Sequence, residues 1–324
     1  MIRRAFVPAV LALAAATCIG AQQSAPLTAG QRQIVIDSIS GYLNRMYVFP
    51  DVAAKMDADL HARAKRCEFN DIADASAFAQ LLTQDLQAIS HDKHLRVRTR
   101  SAGSASGPAG SFGGQSNVFG RSERMAGDIG YVEILSFGAP VDEALRAEAN
   151  RIMSAAADAK ALIIDLRSNG GGSPFVVALV SSYLYGEDSV HLNSLYFRPA
   201  NRTDDFYTDP RVAGRKFGPD KPIYVLTSSR TFSGAEEFAY NLQTRKRATI
   251  VGETTGGGAN PGRGFPLPAD LTVFVPTGRA INPITKTNWE GVGVKPDVAV
   301  DASRALDVAH DLAKGLDGSR RGRQ

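Results

Sequence analysis

Residues 161–174 read ALIIDLRSNGGGSP and combine an apolar run, a glycine-rich loop and the start of a helix. The apolar run at 161–166 is typical of a strand that is buried on both faces, because it lacks polar alternation. Three consecutive glycines at 170–172 then interrupt the pattern, and Pro174 suits the first turn of a helix. A buried strand that leads into a helix through a short loop is the unit of a parallel α/β sheet.

The flanking sequence repeats this unit. Strand patterns alternate with helical patterns, the strands at 130–135, 222–227 and 248–252 and the helices at 141–157, 174–185 and 234–244. This alternation predicts an α/β domain over 118–312 with a largely parallel sheet. Two later apolar runs, at 271–276 and 279–282, predict a hairpin.

The first part of the chain has helical periodicity instead. Apolar residues recur at helical spacing between Thr28 and Ile89, which predicts a small helical domain over 22–100. Pro50 is expected to end the first helix, and residues 95–100 alternate as in a strand. Residues 101–117 are rich in glycine, serine and alanine, and they predict a flexible linker.

Both ends of the chain are predicted to lie outside the folded domains. Residues 1–21 carry two arginines, a short apolar run and small residues before a plausible cut at Gln22, which is typical of a signal peptide. We therefore expect an exported protein, periplasmic or extracellular. The apolar run is shorter than the ~18 residues of a membrane span, so none is predicted. Residues 313–324 read as a basic tail.

Charge and cysteine content exclude some classes of function. The net charge of +4 comes from the leader and the tail, and the body between them is neutral. A nucleic-acid-binding domain would concentrate its basic charge on one folded face, so no nucleic-acid partner is predicted. After the leader only Cys67 remains, which excludes an internal disulfide. We interpret Cys67 as an ordinary residue in or near the core.

Ser233 is a candidate nucleophile. It lies where the strand pattern 222–227 turns into the helix pattern 234–244, and helix N-termini offer free N–H groups to a developing oxyanion. The same stretch, 233–236, has the S-x-x-E pattern of a capping box, and locally this interpretation is favoured over catalysis. Three further hydroxyl groups lie in the same turn, those of Ser228, Ser229 and Thr231.

The glycine loop at 170–172 also has alternative interpretations. Its bare N–H groups could hold a phosphate or stabilise an acyl oxyanion, or the loop could be a plain turn. The chain lacks the G-x-x-x-x-G-K-[ST] signature and a G-x-G-x-x-G followed by a ribose-binding acid, so nucleotide binding is not favoured. No cofactor is predicted.

In chain order, five motifs resemble the tail-specific (C-terminal processing) protease family. The motifs are Asp92-Lys93-His94, residues 165–172, residues 233–236, residues 252–256 and residues 290–297. The branch related to interphotoreceptor retinoid-binding protein modules and the tricorn core peptidase is the most similar. The resemblance implies an α/β core similar to Clp protease and crotonase, preceded by a helical domain. The interval between His94 and Gly130 is too short for the PDZ domain of many members.

The resemblance also implies catalytic roles. One family design uses a Ser–Lys dyad, but the segment at 256–259 reads GGGA and has no lysine. The other design gives Ser233 as nucleophile, His94 as base and Glu290 as orienting acid, although Lys93 replaces the family glycine. The oxyanion hole is then formed by the N–H of Gly234 with that of Gly171 or Gly172.

These roles agree with the chemistry of serine, which is a weak nucleophile until a base takes its proton. A histidine near its ordinary pKa of about 6.5 predicts activity that rises through pH ~6–7. His91 is close enough in sequence to be the base in place of His94.

We therefore predict a serine endopeptidase that acts on polypeptides, namely exported or envelope proteins. The alternative is a module that binds an apolar ligand, retinoid-like or fatty, on the same scaffold. A crotonase-like acyl-CoA enzyme would share the paired N–H groups, but an exported chain would lack access to CoA.

Overall fold

The computed structural model describes residues 26–100 and 117–321, and it begins with three helices. They are α1 (Ala29–Met46), α2 (Pro50–Lys65) and α3 (Ala75–Ser90). Thr28 caps α1 through a capping box, and Asp74 caps α3. The sequence suggested that Pro50 ends α1, but α1 already ends at Met46. Pro50 has a different role. It begins α2, because its fixed φ and missing N–H suit a first helical position.

The central sheet confirms the α/β prediction. Its strand order is β12-β8-β7-β4-β3-β2, and all neighbours are parallel except β2 and β3. The strands are β2 (Phe119–Met125), β3 (Ile129–Ile134), β4 (Ala161–Asp165), β7 (Ile223–Thr227), β8 (Thr249–Gly252) and β12 (Val298–Ala299). The helices are α4 (Glu143–Ala156), α5 (Pro174–Ser182), α6 (Gly234–Thr244) and α7 (Ala305–Arg321).

Each face of this sheet is covered by helices. Because successive strand residues point to opposite faces, Ile164 packs in the core with α4, α5 and α6, whereas Ile163 packs with α7. Helix α7 buries Ala305, Ala309 and Ala313. Residues 313–321 of the predicted basic tail form the last part of this helix.

Two smaller sheets complete the fold. One has the order β1-β10-β9 and the other the order β11-β5-β6. The strands are β1 (Arg96–Thr99), β5 (His191–Phe197), β6 (Arg202–Tyr207), β9 (Gly262–Leu267), β10 (Leu271–Pro276) and β11 (Gly278–Ile281). A short 3₁₀ helix at Arg198–Ala200 joins β5 to β6.

The first small sheet joins the N-terminal helices to the rest of the chain. Strand β1 pairs with β10, and Leu271 and Val273 share one core with residues of α1, α2 and α3. The predicted hairpin of 271–276 with 279–282 is wrong, because β10 and β11 belong to different sheets. The chain changes sheet at Thr277 and Gly278, whose N–H groups both donate to the Pro261 carbonyl.

Three remaining predictions concern the signal peptide, the linker and Cys67. The predicted signal peptide at 1–21 and nearly all of the linker at 101–117 lie outside the described residues. Cys67 is exposed just after α2 and not in the core. Within residues 26–100 and 117–321, we find no helix with the length and apolarity that crossing a membrane requires.

Candidate active site

Ser233 occupies a sharp turn at the carboxyl end of β7. Its φ of 55° and ψ of −121° fall in a region that residues with a side chain rarely adopt. The turn is held by two hydroxyl groups: Thr231 donates to the Leu166 carbonyl at 2.9 Å, and Ser228 donates to the Arg167 carbonyl at 2.6 Å. These two alternative nucleophiles are thus committed to the backbone, and Ser229 is exposed.

The glycine loop lies directly against this turn. Asn169 positions it, since its side chain donates to the Ile134 carbonyl at 2.9 Å and accepts from the Gly171 N–H at 2.8 Å. The Asn169 carbonyl also accepts from the Phe232 N–H at 3.1 Å. A Cβ atom added to Gly171 would lie 2.7 Å from the Ser233 Cβ. Only glycine allows this approach.

Two free N–H groups lie beside Ser233. A Cβ added to Gly234 would lie 2.9 Å from the Gly172 nitrogen, so these two backbones are in direct contact. Neither the Gly172 nor the Gly234 N–H donates to a protein group in the described part of the chain. The Gly171 N–H does not fit its predicted role as a donor, because Asn169 already accepts from it.

Glu236 connects the nucleophile turn to a second glycine run. Its buried carboxyl accepts from the N–H groups of Ser233, Gly257 and Gly258 at 2.8, 2.6 and 2.8 Å. It also accepts from the Thr255 hydroxyl at 2.5 Å. Burial raises the pKa of Glu236, and these hydrogen bonds oppose the rise. The S-x-x-E pattern therefore serves as a cap and also fixes the segment opposite Ser233.

His94 lies beside the nucleophile turn. Its ring is 1% exposed and packs against the rings of Phe232 and Phe274, with centroids 4.6 and 6.1 Å apart. Among the described residues, neither ring nitrogen has a hydrogen-bond partner. Burial, with a smaller contribution from the charge of Arg96, lowers the pKa of His94 to about 3. A neutral ring at physiological pH can accept a proton.

Glu290 and Asp92 complete the cluster around His94. One oxygen of each carboxyl and one ring nitrogen of His94 lie within 4.8 Å of one another. The Glu290 Oε2 accepts from the Ala259 N–H at 2.5 Å, and no group of the described residues bonds its Oε1. Burial, followed by the charge of Asp92, raises the pKa of Glu290 to about 8.

Asp92 was not singled out from the sequence as a functional side chain. Its Oδ1 lies 4.0 Å from the His94 Nδ1 and accepts from the His94 backbone N–H at 3.0 Å. Its Oδ2 accepts from Asn260 and Tyr47 at 2.9 and 3.3 Å. The only signal in the sequence was its place two residues before His94. Asp, His and Glu are also metal-ligand types, but protein donors already occupy both oxygens of Asp92.

The structure brings His94 and Glu290 together, but it does not hydrogen-bond His94 to the Ser233 hydroxyl. His94 instead contacts two neighbouring residues. Its ring packs against Phe232, and a Cβ added to Gly258 would lie 2.7 Å from the His94 Cε1. His91 caps α3 and is exposed. Lys93 is also exposed, and its Nζ donates to the Gly256 carbonyl at 2.6 Å.

A cavity and a cleft open next to the nucleophile. The cavity, of about 30 Å³, is lined by Ser233, Gly234 and Gly172 among others. The cleft, of about 590 Å³, is adjacent to the cavity, and Pro174, Leu195 and Pro261 line both. Aromatic and charged side chains line the cleft, among them Phe175, Phe197, Phe206, Arg202, Asp204 and Arg263.

Comparisons with known proteins show which family the chain resembles. Residues 128–300 match the model of peptidase family S41, and residues 12–118 match the model of the N-terminal domain of peptidase S41 in eukaryotic IRBP. A carboxy-terminal-processing protease of Bartonella bacilliformis is 27% identical over 181 residues, which are 55% of this chain and 40% of the relative. The chain thus spans less than half the length of the curated relatives it matches.

Solved structures show the same fold. The solved structure of a putative peptidase from Parabacteroides merdae superposes with a TM-score of 0.62 at 19% identity. The match covers 87% of this chain and 96% of that one. The tricorn protease superposes with a TM-score of 0.59 at 13% identity, over 90% of this chain and 37% of that one. No PDZ domain is evident among the described residues.

Proposed function

The chain belongs to peptidase family S41, and from this premise we propose that it is a serine endopeptidase that cleaves polypeptides through an acyl-enzyme on Ser233. One observation carries the proposal. Ser233 is held in a strained turn beside the N–H groups of Gly172 and Gly234, which have no protein acceptor in the described part of the chain. Paired N–H groups next to a serine are what a tetrahedral oxyanion requires.

The proposed chemistry uses the three residues that the sequence suggested. Neutral His94 takes the Ser233 proton as the hydroxyl oxygen attacks the scissile carbonyl, and the N–H groups of Gly172 and Gly234 stabilise the oxyanion. His94 then gives that proton to the leaving amine, and water resolves the acyl-enzyme by the same route. The anionic form of Glu290 stabilises the imidazolium. The missing Ser233–His94 hydrogen bond forms when substrate binds, since such bonds are often long without substrate.

The cleft supports a polypeptide as the substrate. Its volume of about 590 Å³ is in the range of ligand sites, ~300–1,000 Å³. Strands β6 and β9, which are edge strands of the two small sheets, both contribute residues to its walls. An extended peptide that lies there reaches the Ser233 turn through Pro174 and Leu195. Because residues 1–21 read as a signal peptide, exported or envelope proteins are the proposed substrates, in the periplasm or outside the cell.

The decisive experiment is active-site labelling. The purified protein is treated with a fluorophosphonate, and the adduct is mapped by mass spectrometry, with denatured casein hydrolysis followed in parallel. We expect one adduct, on Ser233, and loss of both labelling and hydrolysis in Ser233→Ala. Ser229→Ala is the matched control, because that hydroxyl belongs to the same turn but is exposed and does not hold it. An adduct elsewhere, or casein hydrolysis by Ser233→Ala, would refute the proposal.

One observation favours the alternative of an apolar-ligand module. Phe175, Phe197 and Phe206 line the cleft, and Phe175 is 64% exposed. A retinoid-like or fatty molecule could bind in the cleft against these rings. Absence of labelling at Ser233, together with saturable binding of a fluorescent fatty acid, would favour this function over the peptidase.

A further inference from the structure

The cavity beside Ser233 has an acidic residue in its wall. Glu237 lines it together with Ser233, Gly234 and Gly172, one helical turn after the nucleophile. The other lining residues are apolar side chains or glycine, among them Leu195, Ala259, Ala280 and Trp289. Glu237 is therefore the acid that a molecule entering this cavity meets. The proposed mechanism assigns it no role.

Glu237 is buried, and one of its carboxyl oxygens lacks a partner among the described residues. Its relative exposure is 5%, and the oxygen without a partner is Oε1. The buried amide of Asn193 lies beside the Glu237 side chain, and its interaction with the carboxyl opposes part of the rise in pKa. A buried carboxyl oxygen without a hydrogen-bonding partner is costly, so the free Oε1 needs an explanation. Burial raises the pKa of Glu237 to about 8, so at neutral pH the carboxyl can donate as well as accept.

The position of the cavity decides which part of a substrate enters it. A carbonyl held by the N–H groups of Gly172 and Gly234, and attacked by Ser233, has its own Cα one bond away. The side chain on that Cα belongs to the P1 residue, whose carbonyl is attacked. Because the same three residues line the cavity, the P1 side chain enters it. The cavity, of about 30 Å³, is much smaller than the neighbouring cleft of about 590 Å³, so it favours a small P1 side chain.

We propose that Glu237 is the specificity-determining group of the P1 subsite and that it selects serine, a small residue with a hydroxyl group, at P1. The inference rests on the proposed peptidase function. A serine hydroxyl can bond the Glu237 carboxyl, whereas alanine is smaller by that hydroxyl group and leaves the carboxyl without this bond. Sites built to bond a substrate hydroxyl discriminate strongly against the analogue that lacks it.

The test uses two substrates that differ only at P1, the p-nitrophenyl esters of N-acetylserine and N-acetylalanine. Release of nitrophenol measures acylation of the enzyme. We expect the wild type to acylate from the serine ester about 10-fold faster or more, in kcat/KM. Glu237→Gln should keep a preference for serine, because an amide also donates and accepts. Glu237→Met, similar in length and apolar, should abolish or reverse the preference.

Each outcome separates the inference from the proposed function. Fluorophosphonate labelling of Ser233 is measured in every variant. If the wild type labels at Ser233 but the ratio of the two esters is near 1, or is the same in Glu237→Met, Glu237 does not set specificity and the peptidase proposal stands. If both esters slow by one common factor in Glu237→Met, the role of Glu237 is structural and the inference is overturned. If Ser233 of the wild type does not label, both proposals fail.

Discussion

The ring of His94 packs against the ring of Phe232, the residue before Ser233, at 4.6 Å between centroids and an interplanar angle of 39°. The contact places a buried proton acceptor next to the nucleophile, although the two lie far apart in the sequence. It also shields the imidazole from water, which is the main reason why the pKa of His94 falls. The contact thus contributes both to the position of the proposed base and to the burial that keeps it neutral.

Replacement of His94 tests its role as the base. We expect His94→Asn to lower kcat/KM on a casein-derived peptide by about 10²–10⁴, the usual contribution of a general base. Lys93→Ala is the matched control, and we expect it to stay within about 3-fold of wild type, because its Nζ is exposed and bonds the Gly256 carbonyl. An inactive Lys93→Ala with an active His94→Asn would instead assign the base to the lysine.

Glu290 is expected to act on turnover more than on binding. Its carboxyl lies in the His94 cluster and has one oxygen without a partner in the described chain, so its anion can stabilise the imidazolium. Glu290→Gln, which is nearly isosteric, should lower kcat by up to about 10⁴ and leave KM nearly unchanged. Asn288→Ala is a control for the segment, since Asn288 holds the Glu290 backbone N–H. An unchanged kcat in Glu290→Gln would exclude the orienting role.

The pH dependence should follow Glu290 and not His94. The sequence predicted activity that rises through pH ~6–7, but burial lowers the pKa of His94 to about 3, so the ring is already neutral there. The pKa of Glu290 is raised to about 8, and its anion is the useful form. We therefore expect kcat/KM, which reports the free enzyme, to rise with pH to a midpoint near 8. The rise should disappear in Glu290→Gln, and a wild-type midpoint near 6.5 would contradict this assignment.

The sequence predicted those features that depend on local pattern. Helix α6 begins and ends where its periodicity does, at Gly234 and Thr244. The hairpin prediction failed because an apolar run does not specify its partner strand, and β10 and β11 pair in different sheets.

Site features that depend on tertiary contacts could not be predicted from the sequence. The Gly171 N–H donates to the side chain of Asn169, and this bond forms only because Asn169 folds back on its own loop. Glu237 reads in the sequence as an ordinary helical acid, and only the packed structure shows that it is buried beside the nucleophile.

Gly170 and Gly171, which are adjacent in one loop, provide a matched pair of substitutions. Gly171 has φ +102°, and an added Cβ would lie 2.7 Å from both the Gly234 nitrogen and the Ser233 Cβ. Gly171→Ala should therefore displace the nucleophile turn and lower kcat/KM by more than 10²-fold, because oxyanion donors are sensitive to position. A Cβ on Gly170 meets nothing within 4 Å, so Gly170→Ala should stay near wild type. Equal losses in both variants would mean that the loop needs flexibility and not close approach.

The last prediction concerns stability and the sign of its pH dependence. The pKa of Glu237 is raised from 4.5 to about 8 in the folded chain, so between these values the folded state binds more protons than the unfolded state. Its contribution to stability is fully present below pH 4.5 and is lost as the pH rises through 8. Because the carboxyl must ionise inside the fold at higher pH, the charged form destabilises the folded state. Glu237→Gln, which does not ionise, should raise the melting temperature clearly at pH 9 and much less at pH 5.

Glu253→Gln gives a control of opposite sign. Hydrogen bonds from the Ser229 and Ala302 N–H groups lower the pKa of Glu253, so its carboxylate stabilises the fold above its unfolded pKa, and its loss should lower the melting temperature at pH 9. Thermal unfolding of the two variants and wild type at pH 5 and pH 9 measures both effects. If Glu237→Gln shifts the melting temperature equally at the two pH values, Glu237 does not lose its proton near pH 8. The carboxyl beside the nucleophile would then be ionised at neutral pH, and it could only accept a hydrogen bond from a P1 serine.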